Sequence, residues 1–251
     1  MINLQNKVAL VTGGSRGIGA SCVELFLKAG AGVAFTYKSN GEAAEELIKS
    51  LDAMGKARAY SMDMESEADI NEKVKQITSD FGRIDILVNN AGIWKYGASD
   101  EMSLKEWQET ININLTGTFL ITKAVIPLMK QNRFGRIINI SSTAGQRGEA
   151  FHSHYAASKG AIISYTKSLA SELAEYNIIT NCVAPGWVIT DMSAEVFSDK
   201  EYKTSVEMGI PVGRIADPKD IAGPVVFLAS ELARHINGEI LNVNGGSILC
   251  G

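Results

Sequence analysis

The chain has 251 residues, of which 45% are hydrophobic, and a formal net charge of -4 with a pI near 5.5. That length and apolar share suit one large α/β domain or two small ones, and the lack of any basic tract argues against nucleic acid as a partner. The N-terminus, MINLQNKVALVTGG, has no basic stretch followed by an apolar run, and no segment reads as long and apolar enough to span a bilayer. Cys22, Cys182 and Cys250 are far apart and odd in number, which fits a cytoplasmic, reducing setting better than a disulfide framework. They make no ligand spacing with His152, His154 and His235, so no metal site is expected.

Strand-like and helix-like runs alternate from the first residues. KVALVTGG (7–14) reads as a strand ending in a glycine turn, and GIGASCVELFLKAGA (17–31) as a helix closed by Gly30. A strand at 32–37, a helix at 41–55, a strand at 57–63, a helix at 68–82 and a strand at 84–92 follow. A long amphipathic stretch covers 104–130, before a strand at 135–142, a helix at 155–176 and a strand at 178–186. The region 190–216, polar with late glycines, reads as a mobile substrate flap; a helix at 218–233 and a strand at 238–246 close the chain. Strands this apolar are buried on both faces, and their alternation with helices implies a parallel sheet covered on both sides. With no linker or composition break, residues 1–251 read as a single α/β Rossmann-type domain, a doubly wound parallel sheet of seven strands.

TGGSRGIG (12–19) follows the first strand and opens a helix, with Gly13, Gly17 and Gly19 in it. Such a loop brings backbone close to a pyrophosphate and aims a helix N-terminus at the anion, although glycines here also serve a plain strand-to-helix turn. A dinucleotide site that takes NAD has an acid at the end of the second strand; here that region reads Phe35, Thr36, Tyr37, Lys38. Arg16 in the loop and Lys38 after the strand, with no carboxylate beside them, favour a 2′-phosphate, unless both are solvated surface charges.

Taken in order, TGGSRGIG, NNAG (89–92), NISS (139–142), YAASK (155–159) and PGWVITDM (185–192) resemble the classical short-chain dehydrogenases/reductases over essentially the whole chain. NISSTAGQRG, YAASKGAI, VAPGWVITDM and the closing GEILNVNGG are most similar to the bacterial β-ketoacyl-acyl-carrier-protein reductases. The resemblance implies NADP(H) as cofactor and Tyr155 as the proton donor to a ketone under hydride attack. A phenol needs its pKa drawn down from about 10 to do this near neutrality. The i,i+4 spacing sets the Lys159 ammonium on the same helix face to supply that pull. By resemblance, Ser142 holds the substrate carbonyl, with Ser141 as the neighbouring alternative, and Asn114 holds a water that relays protons from Lys159. His154, beside the tyrosine, reads as a pocket or surface residue at the start of its helix.

The same carry-over lines the cofactor path with Gly13, Ser15, Arg16, Gly17, Ile18 and Gly19, then Lys38, Asp63 and Met64 toward the adenine end. Asn90, Ala91 and Gly92 follow the ribose, and Tyr155, Lys159, Pro185, Gly186 and Val188 meet the nicotinamide end. The implied activity is NADPH-dependent reduction of a β-ketoacyl thioester on acyl carrier protein in fatty acid biosynthesis. The alternatives are a relative acting on a free sugar, polyol, steroid or xenobiotic ketone, and a non-catalytic nucleotide-binding regulator, which the intact Ser142, Tyr155 and Lys159 set argues against. A homotetramer is expected, paired through the 104–130 and 155–176 helices, with the C-terminal NGGSILCG at a second interface. The carrier-binding patch that resemblance implies has one cation at Arg133. At the position of the other stands Tyr176, for which Lys130 or Arg136 could compensate.

Overall fold

Runs such as VALV and ILVN are apolar or buried at every position, and each becomes a strand covered on both faces. The computed structural model describes residues 2–250. Its strands are β1 Val8–Val11, β2 Gly32–Tyr37, β3 Ala57–Ser61, β4 Ile86–Asn89, β5 Gly135–Ile140, β6 Ile178–Pro185 and β7 Ile240–Val243. They form one seven-stranded sheet in the order β3-β2-β1-β4-β5-β6-β7, with every neighbouring pair parallel. The order reverses between β1 and β4. A crevice opens at such a switch point beyond the carboxyl ends of the strands, and ligands bind there.

The helices are α1 Gly17–Lys28, α2 Gly41–Leu51, α3 Glu67–Phe81, α4 Leu104–Ile111, α5 Gly117–Asn132, α6 Thr143–Arg147, α7 Ser153–Leu173, α8 Lys200–Met208 and α9 Pro218–Leu228. Alternation along each strand sorts them into two layers. Ala9 and Val11 of β1 pack with Phe26 of α1, Ala44 of α2 and Val225 of α9. Leu10, between them, packs on the other face with Ile70 of α3, Val125 of α5 and Leu169 of α7. Each large side chain fully buried in this way contributes about 1.5–3 kcal/mol.

Two expectations need correction, and the flap gains structural detail. The helix expected over 41–55 ends at Leu51, and Asp52–Met54 forms a 3₁₀ turn up to Gly55, whose φ of 147° no ordinary side chain adopts. The flap is largely helical: 3₁₀ turns at Asp191–Ser193 and Val196–Ser198 lead into α8, capped by Asp199 accepting from Glu201 and Tyr202 N–H. Finally, α4, a π-helical turn at Asn112–Thr116 and α5 run on as one rod, and Leu104–Asn132 is long and apolar enough to cross a membrane by length and composition. Its apolar side is committed to the core, with Ile121, Val125 and Met129 fully buried, so it reads as the central helix of an α/β layer.

No sequence signal marked α6, five residues long, yet it decides where α7 lies. Gly145 of α6 meets Lys159 and Gly160 of α7 backbone to backbone; a Cβ at 145 would fall 2.6 Å from the carbonyl carbon of Lys159. Gly145→Ala is therefore expected to cost about 1–3 kcal/mol by overpacking and to displace Lys159. Urea denaturation and turnover measured on the same preparation check this; an unchanged midpoint would refute the close contact.

Candidate active site

At the switch point lies a cavity of about 580 Å³, walled by the ends of β1, β2, β4, β5 and β6. Gly13, Ser15, Arg16, Gly17, Ile18, Lys38, Asp63, Met64, Asn90, Ala91, Gly92, Ser142, Tyr155, Lys159, Pro185, Gly186 and Val188 all line it. The glycine loop is built for close approach. Gly13 and Gly17 take φ of 63° and 55°, and a Cβ on Gly19 would lie 2.2 Å from the Gly13 carbonyl oxygen. Asn90 locks the loop from below, its Nδ2 donating to the carbonyls of Thr12 and Gly13 at 3.0 Å each. Arg16 is the N-cap of α1 in extended conformation and offers no side-chain acceptor to the first turn. Those N–H groups are left for an anion in the cleft, which suits a dinucleotide pyrophosphate.

Toward the adenosine end the expectation of two cations without a carboxylate is corrected. Lys38 Nζ lies 3.1 Å from both Asp63 and Glu65 carboxylates. Parallel pairing sets Tyr37 beside Ser61, so the acids arrive from the loop after β3, where an inspection of β2 alone does not find them. The Asp63 carboxylate is thus turned to Lys38, while Arg16 reaches Asp191 of the flap at 3.5 Å. All three ion pairs are open to solvent and worth less than about 1 kcal/mol each, so a 2′-phosphate can compete for either cation.

At the other end, the carboxyl end of β5 and the start of α7 bring Ser142, Tyr155 and Lys159 together. Ser141 and Ser142 separate cleanly. Ser141 is buried, its hydroxyl donating to the Lys159 carbonyl at 2.7 Å. Ser142 caps α6 by accepting from Ala144 N–H at 3.1 Å, and its hydroxyl favours the ionised form of the nearby Tyr155 phenol. Lys159, 5% exposed, donates from Nζ to the Ile140 carbonyl at 2.8 Å. Asn114 sits in the π turn with its amide committed to protein: Nδ2 to the Ile93 carbonyl and Ser158 Oγ, Oδ1 to Ile93 N–H. It ties the 92–93 turn to the π turn and to α7. Val188 pairs with Ala216 through its neighbours 187 and 189, so its own N–H is turned away from that bridge. His154 is not a surface residue: it is 1% exposed and stands outside the cleft wall, its ring packed near Gly97.

A family model described as enoyl-(acyl carrier protein) reductase matches residues 13–247. The chain belongs to the short-chain dehydrogenase/reductase family. It is 44% identical over 248 residues to the 3-oxoacyl-[acyl-carrier-protein] reductase FabG of Aquifex aeolicus, covering 98% of each chain. A solved short-chain dehydrogenase/reductase from Brucella melitensis, described as a glucose/ribitol dehydrogenase, superposes with a TM-score of 0.91 at 32% identity over 99% of both chains. A structure described as an NAD(P)-dependent gluconate 5-dehydrogenase from Beutenbergia cavernae, with bound NADP, superposes at 0.91 with 35% identity over 98% of both.

In this short-chain dehydrogenase/reductase the protein alone does not lower the phenol. Burial pushes Tyr155 up to about 12; Ser142 draws it back and the Glu149 charge raises it further. Burial likewise pushes Lys159 down to about 8. The expected pull of lysine on tyrosine is weak here because Nζ is drawn under β5, 5.7 Å from the phenol ring centroid. Near neutral pH the phenol is therefore held neutral, while Lys159, less basic than an ordinary lysine, still carries its charge.

Sequence reasoning also missed the substrate side. Trp94, Arg147, Glu149 and Trp187 line the cleft near Tyr155. Trp94 and Trp187 follow the NNAG and PG motifs by two residues and one, a positional signal that went unused.

The buried ammonium has a stability consequence with a definite sign. The folded pKa of Lys159 lies below its ordinary 10.5, so the unfolded chain binds this proton more tightly. The penalty is full below pH 8 and fades as pH rises toward 10.5. Lys159→Met is therefore expected to stabilise the cofactor-free protein by about 1–3 kcal/mol at pH 7. Urea unfolding at pH 7 and pH 10 checks it: the gain should shrink at the higher pH, and a loss at pH 7 would contradict the buried charge.

Proposed function

We propose that the protein reduces a 3-oxoacyl thioester on acyl carrier protein to the 3-hydroxyacyl product with NADPH. The observation that carries this is the convergence of Ser142, Tyr155 and Lys159 at one end of a cleft whose other end is the uncapped glycine loop of α1. The relationship to the Aquifex aeolicus reductase supports the substrate class. When bound, the reduced nicotinamide supplies the hydride, and its oxidised ring brings a positive charge to the cleft. Ser142 holds the carbonyl oxygen where negative charge develops. Tyr155 donates the phenolic proton to that oxygen. Lys159 steadies the phenolate by its charge, with Asn114 and Ile140 fixing where its ammonium sits. Arg16 and Lys38 are the cations available to a 2′-phosphate. The buried thiols of Cys22 and Cys182 support a cytoplasmic setting.

Tyr155→Phe is expected to fold and bind NADPH but to lose more than about 2 kcal/mol of transition-state stabilisation. Steady-state kinetics with acetoacetyl thioester, alongside cofactor titration by fluorescence, measure this; near-normal kcat would remove Tyr155 from the chemistry.

Carrier docking at Arg133 belongs to the same reading. Arg133 ends α5 in the left-handed conformation, its Nη2 donating to the Glu175 carbonyl at 3.1 Å. Lys130 Nζ lies over the Tyr176 ring at 4.2 Å, so a cation stands beside Tyr176. Arg136 does not compensate: it is 2% exposed, with its guanidinium bound to the Gly135 and Asn177 carbonyls. Arg133 lies at the amino end of β5 and the cleft at its carboxyl end, roughly 20 Å away at about 3.3 Å per residue. The patch would thus serve the cleft of another copy, which the expected homotetramer provides. Arg133→Glu should raise KM for the carrier-bound substrate and leave a small free thioester unaffected, with wild-type docking weakening sharply as salt rises. Equal effects on both substrates would refute the docking site, and no turnover of the carrier-bound form would favour a free small-molecule ketone.

A further inference from the structure

A second chamber of about 610 Å³, broadly open to solvent, lies against the catalytic cleft. Trp94, Arg147, Glu149 and Trp187 line both cavities, so these four side chains are the partition between them. The two indoles meet edge to face, with ring centroids 5.8 Å apart and planes at 86°, and so form one continuous aromatic wall. Each is braced. Trp94 donates from Nε1 to Glu149 Oε1 at 3.3 Å and stacks on His152 at 4.3 Å, nearly parallel. Trp187 is packed by Phe197 and Tyr202 from the flap, at 5.2 and 6.4 Å.

A 3-oxoacyl thioester runs in two directions from its reacting carbon. The thioester arm is tethered to a carrier and must reach solvent through the open cleft. The alkyl tail leaves on the other side, where an aromatic wall is its apolar complement. Resting on the reductase reading above, we infer that Trp94 and Trp187 form a closed gate that limits the length of the alkyl tail. Glu149 is a positioning residue that holds the Trp94 half of the gate shut. With the gate removed, the second chamber, whose far side carries Phe151, Val196 and Tyr202, becomes space for longer tails.

The test compares kcat/KM for 3-oxoacyl thioesters of N-acetylcysteamine with four to twelve carbons, a series that avoids carrier docking. For the wild type, the twelve-carbon value should fall below the four-carbon value by about tenfold or more. Trp94→Ala should raise the twelve-to-four ratio by about tenfold, and Glu149→Ala should raise it by a smaller factor, because it frees the indole without removing it. Glu149→Ala carries the test if Trp94→Ala does not fold. A wild-type profile flat in length, or ratios unchanged in folded variants, overturns the gate and leaves the reductase reading standing. Turnover of no thioester at any length overturns both.

Discussion

Lys159 keeps its ammonium inside the protein, 2.8 Å from the carbonyl of the last residue of β5. A buried cation is costly unless its surroundings satisfy it, and much of the local architecture follows from meeting that demand. Helix α7 must pass close over the end of β5, which only glycine at 145 and 160 allows. The Ser141 hydroxyl ties the same turn of α7 to the strand. Gly92 brings the turn after β4 within 3.6 Å of Nζ, measured from where a Cβ would stand. With the lysine fixed, the residue one helical turn earlier, Tyr155, has one face to present, and it is the cleft.

The fold was largely legible because the central strands are apolar along most of their length and each early helix is punctuated by glycine or a polar cap. Asn40, Ser66 and Ser103 all cap where the pattern implied a start. What escaped were features decided between segments. Helix α6 is too short for a periodic signal, and its role lies in a contact with α7. The acids beside Lys38, Asp63 and Glu65, come from the loop after β3, brought alongside by parallel register. The π turn that carries Asn114 has no residue marking it.

The site was legible in identity and less so in electrostatics. Spacing placed Tyr155 and Lys159 in one cleft, but the direction of their titration depends on burial, which spacing does not report. Desolvation outweighs their mutual attraction because the ammonium points at a carbonyl and not at the phenol. The aromatic partition shows the same limit: Trp94, His152 and Trp187 come from three loops, and only the folded chain makes them one wall.

The flap touches the glycine loop twice, through Arg16 with Asp191 and through Thr190, whose Cγ2 lies 3.2 Å from where a Gly17 Cβ would stand. The glycine loop proposed to receive the dinucleotide phosphates is thus also where the flap is held down. A phosphate that draws the Arg16 guanidinium toward itself takes it from Asp191, at a cost of under about 1 kcal/mol for so exposed a pair. A phosphate bound at Arg16 would thus loosen this corner of the flap.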